Sequence, residues 1–190
     1  MTKRRALFLD RDGVINVNRA DHVKSWDEFE FLPRSLDALR QIATSDFLVV
    51  VTTNQAAIAR GMVAEATVRD IHAHMTTAVA RAGGRLDAIY YCPHLPEANC
   101  DCRKPRPGMY LQAAREWDID RTRSYVIGDA LADVVAAQAI GAQPILVLTG
   151  RGNEYHARMV ADNHKGHVVA DDLLSAVEWI WQRESAVNDR

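Results

Sequence analysis

Asp10 and Asp12 stand on either side of Arg11, directly after the short apolar run Ala6-Leu7-Phe8-Leu9. Two further acids, Asp129 and Asp133, follow a later apolar run from Ser124 to Ile127. A third run, Phe47-Leu48-Val49-Val50-Val51, leads into Thr52-Thr53-Asn54-Gln55. Four carboxylates gathered in one crevice repel one another unless a cation sits among them. Hard oxygen donors suit Mg²⁺, which shares its coordination with water and phosphate oxygens. A phosphate dianion also needs a fixed cation, and Lys104 in Arg103-Lys104-Pro105 supplies one. The chemistry expected of this set is phosphoryl transfer: Asp10 attacks phosphorus, and Asp12 gives and takes the proton. Thr53, Lys104 and the cation hold the charge that develops on the phosphoryl oxygens.

A second constellation lies in Cys92-Pro93-His94-Leu95-Pro96-Glu97-Ala98-Asn99-Cys100-Asp101-Cys102. All three cysteines of the chain fall within it. Three thiolates and an imidazole complete a tetrahedral Zn²⁺ site with no open position, so the expected role is structural. An odd number of cysteines in a reducing compartment argues for metal over a disulfide. Arg103 and Lys104 follow Cys102 directly, so a zinc-bound loop would aim Lys104 at the phosphate.

These residues must be placed by a scaffold, and the apolar pattern describes one. Short β-rich runs alternate with helical stretches: Ser35 to Ala43, Glu65 to Ala82, Gly108 to Trp117, Leu131 to Ile140 and Leu173 to Trp181. Further strands are expected at Ala88–Tyr91, Pro144–Leu148 and His167–Ala170. The alternation predicts a single α/β domain over residues 1–190, a three-layer Rossmann-like parallel sheet with helices on both faces. Ligands of such sheets bind beyond the carboxyl ends of the strands, where the acids lie. The segment from Asn16 to Pro33 is too short for a separate lid, since an independent domain needs at least ~50 residues. A capless, open crevice is therefore expected.

Phe8-Leu9-Asp10-Arg11-Asp12-Gly13-Val14-Ile15-Asn16 resembles the first motif of the haloacid dehalogenase superfamily. Thr53, Lys104 and Gly128-Asp129 with Asp133 follow in the order of its second, third and fourth motifs. The resemblance implies Asp10 as nucleophile and Asp12 as acid and base. It implies a magnesium site of Asp10, the Asp12 backbone carbonyl and Asp129, with Asp133 in support. Thr53 to Gly61, Cys-x-His and Cys-x-Cys-Arg-Lys-Pro-x-Pro-Gly-Met narrow it to the subfamily of heptose bisphosphate and histidinol-phosphate phosphatases. Substrate contacts are expected at Arg11, Asn18, Arg19, Asp21, Asn54, Gln55 and Arg103. Ala130 stands where many members carry lysine, which leaves Lys104 with more of the phosphate charge.

The function expected is removal of the 7-phosphate from a heptose bisphosphate, with histidinol phosphate as the rival substrate. A zinc-organised binding module is the non-enzymatic alternative. A net charge of −2 offers no basic face for nucleic acid. No apolar run reaches the ~20 residues of a membrane span, and the charged N-terminus does not read as a signal peptide. A cytoplasmic monomer acting on a small phosphorylated sugar is the expectation. His72, His74, His156, His164 and His167 are expected to be ordinary surface or half-buried side chains.

Overall fold

The computed structural model describes residues 3–188. Six strands form one sheet: β1 (Ala6–Leu9), β2 (Leu48–Asn54), β3 (Ala88–Cys92), β4 (Tyr125–Gly128), β5 (Gln143–Val147) and β6 (Val168–Ala170). Their order is β3-β2-β1-β4-β5-β6 and every pairing is parallel. Six α-helices connect them: α1 (Ser35–Ala43), α2 (Glu65–Arg81), α3 (Gly108–Glu116), α4 (Leu131–Ile140), α5 (Gly152–Ala161) and α6 (Leu173–Asn188).

The strands are apolar without alternation because both faces of the sheet are covered. Period-two geometry then divides β1 between two cores. Leu7 and Leu9 pack with residues of α1, α2 and α6, including Leu39, Met75 and Ile180. Ala6 and Phe8 pack on the other face with Tyr110 and Ala113 of α3 and Ala136 and Ile140 of α4. In β5, Ile145 and Val147 join the first core, while Leu146 meets Val134 and Met159 beneath α5. The result is the expected three-layer arrangement.

The active acids sit where the chain order changes direction. β1 and β4 are neighbours in the sheet, and β2 flanks β1 on its other side. Asp10, Asp129 and Thr53 therefore emerge from adjacent carboxyl ends. β2 runs three residues beyond the expected stop at Val51, because Thr52, Thr53 and Asn54 pair with Tyr90, Tyr91 and Cys92. That pairing ties the second site motif to Cys92, the first residue of the Cys/His cluster. Between β1 and α1 the chain makes only a 3-10 turn, Trp26–Glu28, closed by stacking of Trp26 on Phe29.

Two elements differ from expectation. α5 is absent from the apolar pattern because only Gly152 and Met159 of its ten residues are buried. α6 continues past Trp181 to Asn188. Its polar extension carries Glu184, which accepts a hydrogen bond from Tyr125 (2.6 Å) and pairs with Arg5. No helix among the described residues is long and apolar enough to cross a membrane.

Candidate active site

Asp10, the residue after β1, lies at the floor of a crevice of about 450 Å³. Its Oδ1 accepts the Arg11 backbone N–H (2.7 Å) and sits 3.0 Å from Lys104 Nζ. Lys104 is 4% exposed, and its ammonium also reaches Asp133 Oδ1 (2.6 Å) and the Thr52 carbonyl (2.9 Å). Burial by itself would lower the Lys104 pKa, but Asp10 and Asp133 outweigh it and raise the value. The lysine is thus a permanent cation at the base of the site.

Asp10, Asp129 and Asp133 each place a carboxylate oxygen within 4.8 Å of the others. Burial pushes Asp10 up to about 7; Lys104 pulls the other way, and Asp133, Asp129 and Asp12 add to the rise. Burial and Asp133 push Asp129 up to about 6. Asp129 Oδ2 accepts the Arg151 backbone N–H (2.8 Å), whereas its buried Oδ1 has no hydrogen-bond partner. A buried, unpartnered carboxylate oxygen is costly, and a hard cation satisfies it. The residues fit Mg²⁺ on that observation. Asp133 is the third residue of α4, and its Oδ2 accepts the Ala130 N–H (3.2 Å), capping the helix.

The Asp12 carboxylate is not part of this acidic group. Arg11 donates to both of its oxygens (3.0 Å each), Asn16 to Oδ1 (3.0 Å) and Gln55 to Oδ2 (2.9 Å). Burial works to raise its pKa, but the Arg11 charge and these bonds hold it below the usual carboxylate range. Of the four acids expected to repel one another, three remain without an arginine partner; Arg11 pairs with the fourth, which still adds a smaller part to the rise at Asp10.

Three of the expected substrate contacts, Arg11, Gln55 and Asp21, stand outside the lining of the crevice. Arg11 is 1% exposed and lies beneath the crevice, and Gln55, 2% exposed, donates to Asp12 and to Thr53 Oγ1 (2.9 Å). Neither lines the crevice. Asn54 does line it, yet its amide is engaged with Lys104: Oδ1 accepts the Lys104 N–H (3.1 Å) and Nδ2 donates to the Lys104 carbonyl (3.2 Å). Asn18, Arg19 and Arg103 reach the mouth as expected. Asp21 does not; it pairs outward with Lys24 (2.7 Å) and Arg19 (3.2 Å).

The structure adds three residues to the mouth that the motifs did not single out: His22, Arg60 and Arg151. Arg60 donates to His22 Nε2 (3.2 Å), Arg103 donates to the His94 carbonyl (3.1 Å), and the Arg151 guanidinium lies over the Tyr155 ring at 5.4 Å. These guanidiniums meet uncharged groups and retain their charge for an anion. Arg60 was visible within Thr53–Gly61, but nothing in that run says which way it faces. Arg151 lines the same crevice as Ala130, so a cation from the β5 loop stands near the position that lacks lysine. The loop is held in place by Thr149, which donates to the Gly13 carbonyl (2.6 Å). Gly13 itself has φ +87, and a Cβ there would lie 2.1 Å from Asp129 Oδ2, so only glycine lets the two motifs approach.

In the cysteine loop, Cys92 Sγ lies 3.5 Å from Cys100 Sγ and 3.6 Å from His94 Nδ1. Cys102 Sγ lies 3.4 Å from Cys100 Sγ and 3.3 Å from His94 Nδ1. These separations are far longer than a sulfur–sulfur bond of about 2.05 Å. They approach the edges of a tetrahedron around a metal with ligand bonds of about 2.0–2.3 Å. The four side chains form a metal-competent cluster.

Comparison with known proteins agrees with this geometry. A HAD-hydrolase-like family model matches residues 101–176. A D-glycero-beta-D-manno-heptose-1,7-bisphosphate 7-phosphatase of Pseudomonas aeruginosa is 38% identical, covering 94% of this chain and 99% of its own. The enzyme of that name from Bordetella bronchiseptica is 43% identical over 93% of this chain and 97% of its own. The crystal structure of the D,D-heptose 1,7-bisphosphate phosphatase from B. bronchiseptica, complexed with magnesium and phosphate, superposes with a TM-score of 0.88 at 41% identity, covering 94% of this chain and 99% of that one. The corresponding phosphatase from Burkholderia thailandensis gives 0.71 at 35% identity, with 94% and 99% covered. With its phosphatase acids on adjacent strand ends and relatives matched over nearly their whole length, the chain belongs to the HAD-like hydrolases, in the family of the heptose-1,7-bisphosphate 7-phosphatases.

Proposed function

We propose that this chain hydrolyses the 7-phosphate of D-glycero-D-manno-heptose 1,7-bisphosphate through a phospho-aspartate on Asp10. The observation that carries the reading is the pairing of Asp10 with Lys104 at the floor of a crevice whose mouth holds Arg19, Arg60, Arg103 and Arg151. One end binds and cleaves a phosphate ester, and the other receives a second anionic group. Histidinol phosphate carries an ammonium and an imidazole and no second phosphate, so a mouth lined by guanidiniums disfavours it. The heptose names of the relatives support the same choice, and the acids required for turnover speak against a non-catalytic binding module.

In the first step an Asp10 oxygen attacks phosphorus and the bond to the sugar oxygen breaks. The hydrogen bonds to Asp10 fall on Oδ1, which leaves Oδ2 to attack. Asp12, which takes up a proton when the phosphate dianion lies beside it, donates that proton to the departing alkoxide. In the second step Asp12 takes a proton from water, whose oxygen attacks phosphorus and frees Asp10. Thr53 Oγ1 accepts from Gln55, which turns its own hydrogen toward the phosphoryl oxygens. Lys104 holds Asp10 in place and neutralises charge on the phosphoryl group. Asp10, Asp129 and the Asp12 carbonyl would hold Mg²⁺, with Asp133 in support. When bound, the ion supplies charge neutralisation among these carboxylates and the phosphate.

Zn²⁺ in Cys92, His94, Cys100 and Cys102 fits the cluster and serves the loop. Arg103 bonds the backbone of a ligand residue, and Lys104 follows it, so fixing the loop fixes both cations.

The test is a phosphate-release screen with the β and α anomers of the bisphosphate and histidinol phosphate. The expected ranking puts the bisphosphate first by kcat/KM, and Asp10→Asn abolishes turnover. A preference for histidinol phosphate would replace the substrate, and an active Asp10→Asn protein would replace the mechanism.

A further inference from the structure

The Asp12 carboxylate must present its proton to the leaving oxygen and then accept one from water, so its orientation matters twice. Three donors hold it, and the strongest is the Arg11 guanidinium, whose one terminal nitrogen reaches both carboxylate oxygens. The other terminal nitrogen, Nη1, lies 3.1 Å from His72 Nε2. Arg11 Nε is buried with no partner, so Asp12 and His72 are the side chains that hold this guanidinium.

The His72 contact has only one chemical solution. A guanidinium has donors and no acceptor, so Nε2 must offer its lone pair, and the ring must be neutral with its proton on Nδ1. The fold enforces that state. His72 is 6% exposed on α2, and its ring meets Tyr91 of β3 edge-on, at 5.5 Å and 62°. The Tyr91 hydroxyl is itself tied to Glu65 at the start of α2 (2.7 Å). A second cation beside Arg11 would be repelled, which again keeps the imidazole neutral.

We infer that His72 is a positioning residue for the proton-transfer step: through its Nε2 acceptor it fixes the Arg11 guanidinium, and Arg11 fixes the Asp12 carboxylate. His72 touches neither substrate nor reacting atoms. Remove the acceptor and Arg11 gains a buried unsatisfied donor and freedom to rotate, and Asp12 loses its bidentate hold. The inference rests on the phosphatase mechanism above and extends it to a residue outside every motif.

Methionine and glutamine have nearly the same shape, and only glutamine carries an acceptor where Nε2 lies. His72→Met and His72→Gln are compared by rapid quench, following phosphoenzyme formation from the heptose bisphosphate and from p-nitrophenyl phosphate. A nitrophenolate leaves without a proton, so its departure does not need Asp12. General acid catalysis contributes about 10²–10⁴-fold, and mispositioning forfeits part of it. The expected result is that His72→Met slows phosphoenzyme formation from the sugar by about tenfold or more, leaves that from p-nitrophenyl phosphate within about threefold, and leaves KM nearly unchanged. His72→Gln restores most of the sugar rate. On an Asp12→Asn background His72→Met has no further effect on the sugar. Equal losses for Met and Gln, or parallel losses on both substrates, would make His72 a packing residue and overturn the inference; so would an unaffected Met variant. Where the methionine variant is not recovered folded, His72→Asn, too short to reach Arg11, takes its place with the same expected outcome. Failure of the underlying mechanism shows separately, as phosphoenzyme that still forms in Asp10→Asn.

Discussion

At the scale of single residues the two cations that follow the cysteine loop divide their work. Lys104 touches Asp10 and is buried; Arg103 lies half-buried at the mouth. Lys104→Ala removes charge stabilisation made at the reacting phosphate, so kcat falls by about 10²–10³-fold. Arg103→Ala removes an interaction with the far end of the substrate that is similar in ground and transition states, so KM rises and kcat changes little. Steady-state kinetics on both variants decides the matter, and equal losses in kcat would contradict the division. Asp10, Asp12, Asp129 and Lys104 could be placed in the sequence because each follows a strand or a recognisable motif. Arg11 could not be assigned, since a residue next to a strand end can turn into the crevice or beneath it. Its direction shows only in the fold, where its guanidinium meets His72, 61 positions away along the chain.

At the scale of elements, the loop between β5 and α5 is as much a part of the site as the motifs. Its backbone N–H at Arg151 holds Asp129, and Thr149 holds the Gly13 carbonyl. Gly150 permits this: φ is +56, and a Cβ would lie 2.3 Å from Asp129 Oδ2 and 2.6 Å from Gly13 Cα. Gly150→Ala is expected to push this loop off Asp129, costing about 1–3 kcal/mol of stability and weakening magnesium activation; thermal unfolding and a magnesium titration of activity measure both. A melting temperature and magnesium dependence equal to wild type would show the loop to be compliant. The run Thr149-Gly150-Arg151-Gly152 could be seen to follow a strand but not given a role, and α5 was hidden because a helix that buries only Gly152 and Met159 carries no apolar stripe. The cysteine loop was visible for the opposite reason, since its soft ligands are rare and clustered. Removing zinc tests a positional role. Protein stripped of zinc is expected to keep its circular dichroism and lose most of its kcat, with recovery on zinc return. Full turnover at unchanged KM in the stripped protein would leave the loop without a role in aiming Lys104.

At the scale of the whole molecule, two groups of buried charges give stability opposite pH dependences, and magnesium acts on only one of them. Burial, with the Arg11 charge, depresses His72 to about 3, against 6.5 in the unfolded chain. The unfolded state therefore binds more protons between those values, so this contribution is complete above pH 6.5 and is lost as pH falls toward 3. Without a divalent ion, Asp10 and Asp129 are raised to about 7 and about 6 from 3.8. Here the folded state binds more protons, so the contribution is complete below pH 3.8 and is lost as pH rises through 7. A divalent cation among the carboxylates competes with those protons and reverses the loss at high pH. The expected measurement is a thermal shift on adding Mg²⁺ that is small at pH 5 and grows steadily to pH 7.5. His72→Gln, which has nothing to titrate, should leave this magnesium curve in place while flattening the acid decline below pH 6.5. A magnesium shift independent of pH would mean that the ion binds away from Asp10 and Asp129, and the crevice floor would then need a different account of how its three acids coexist.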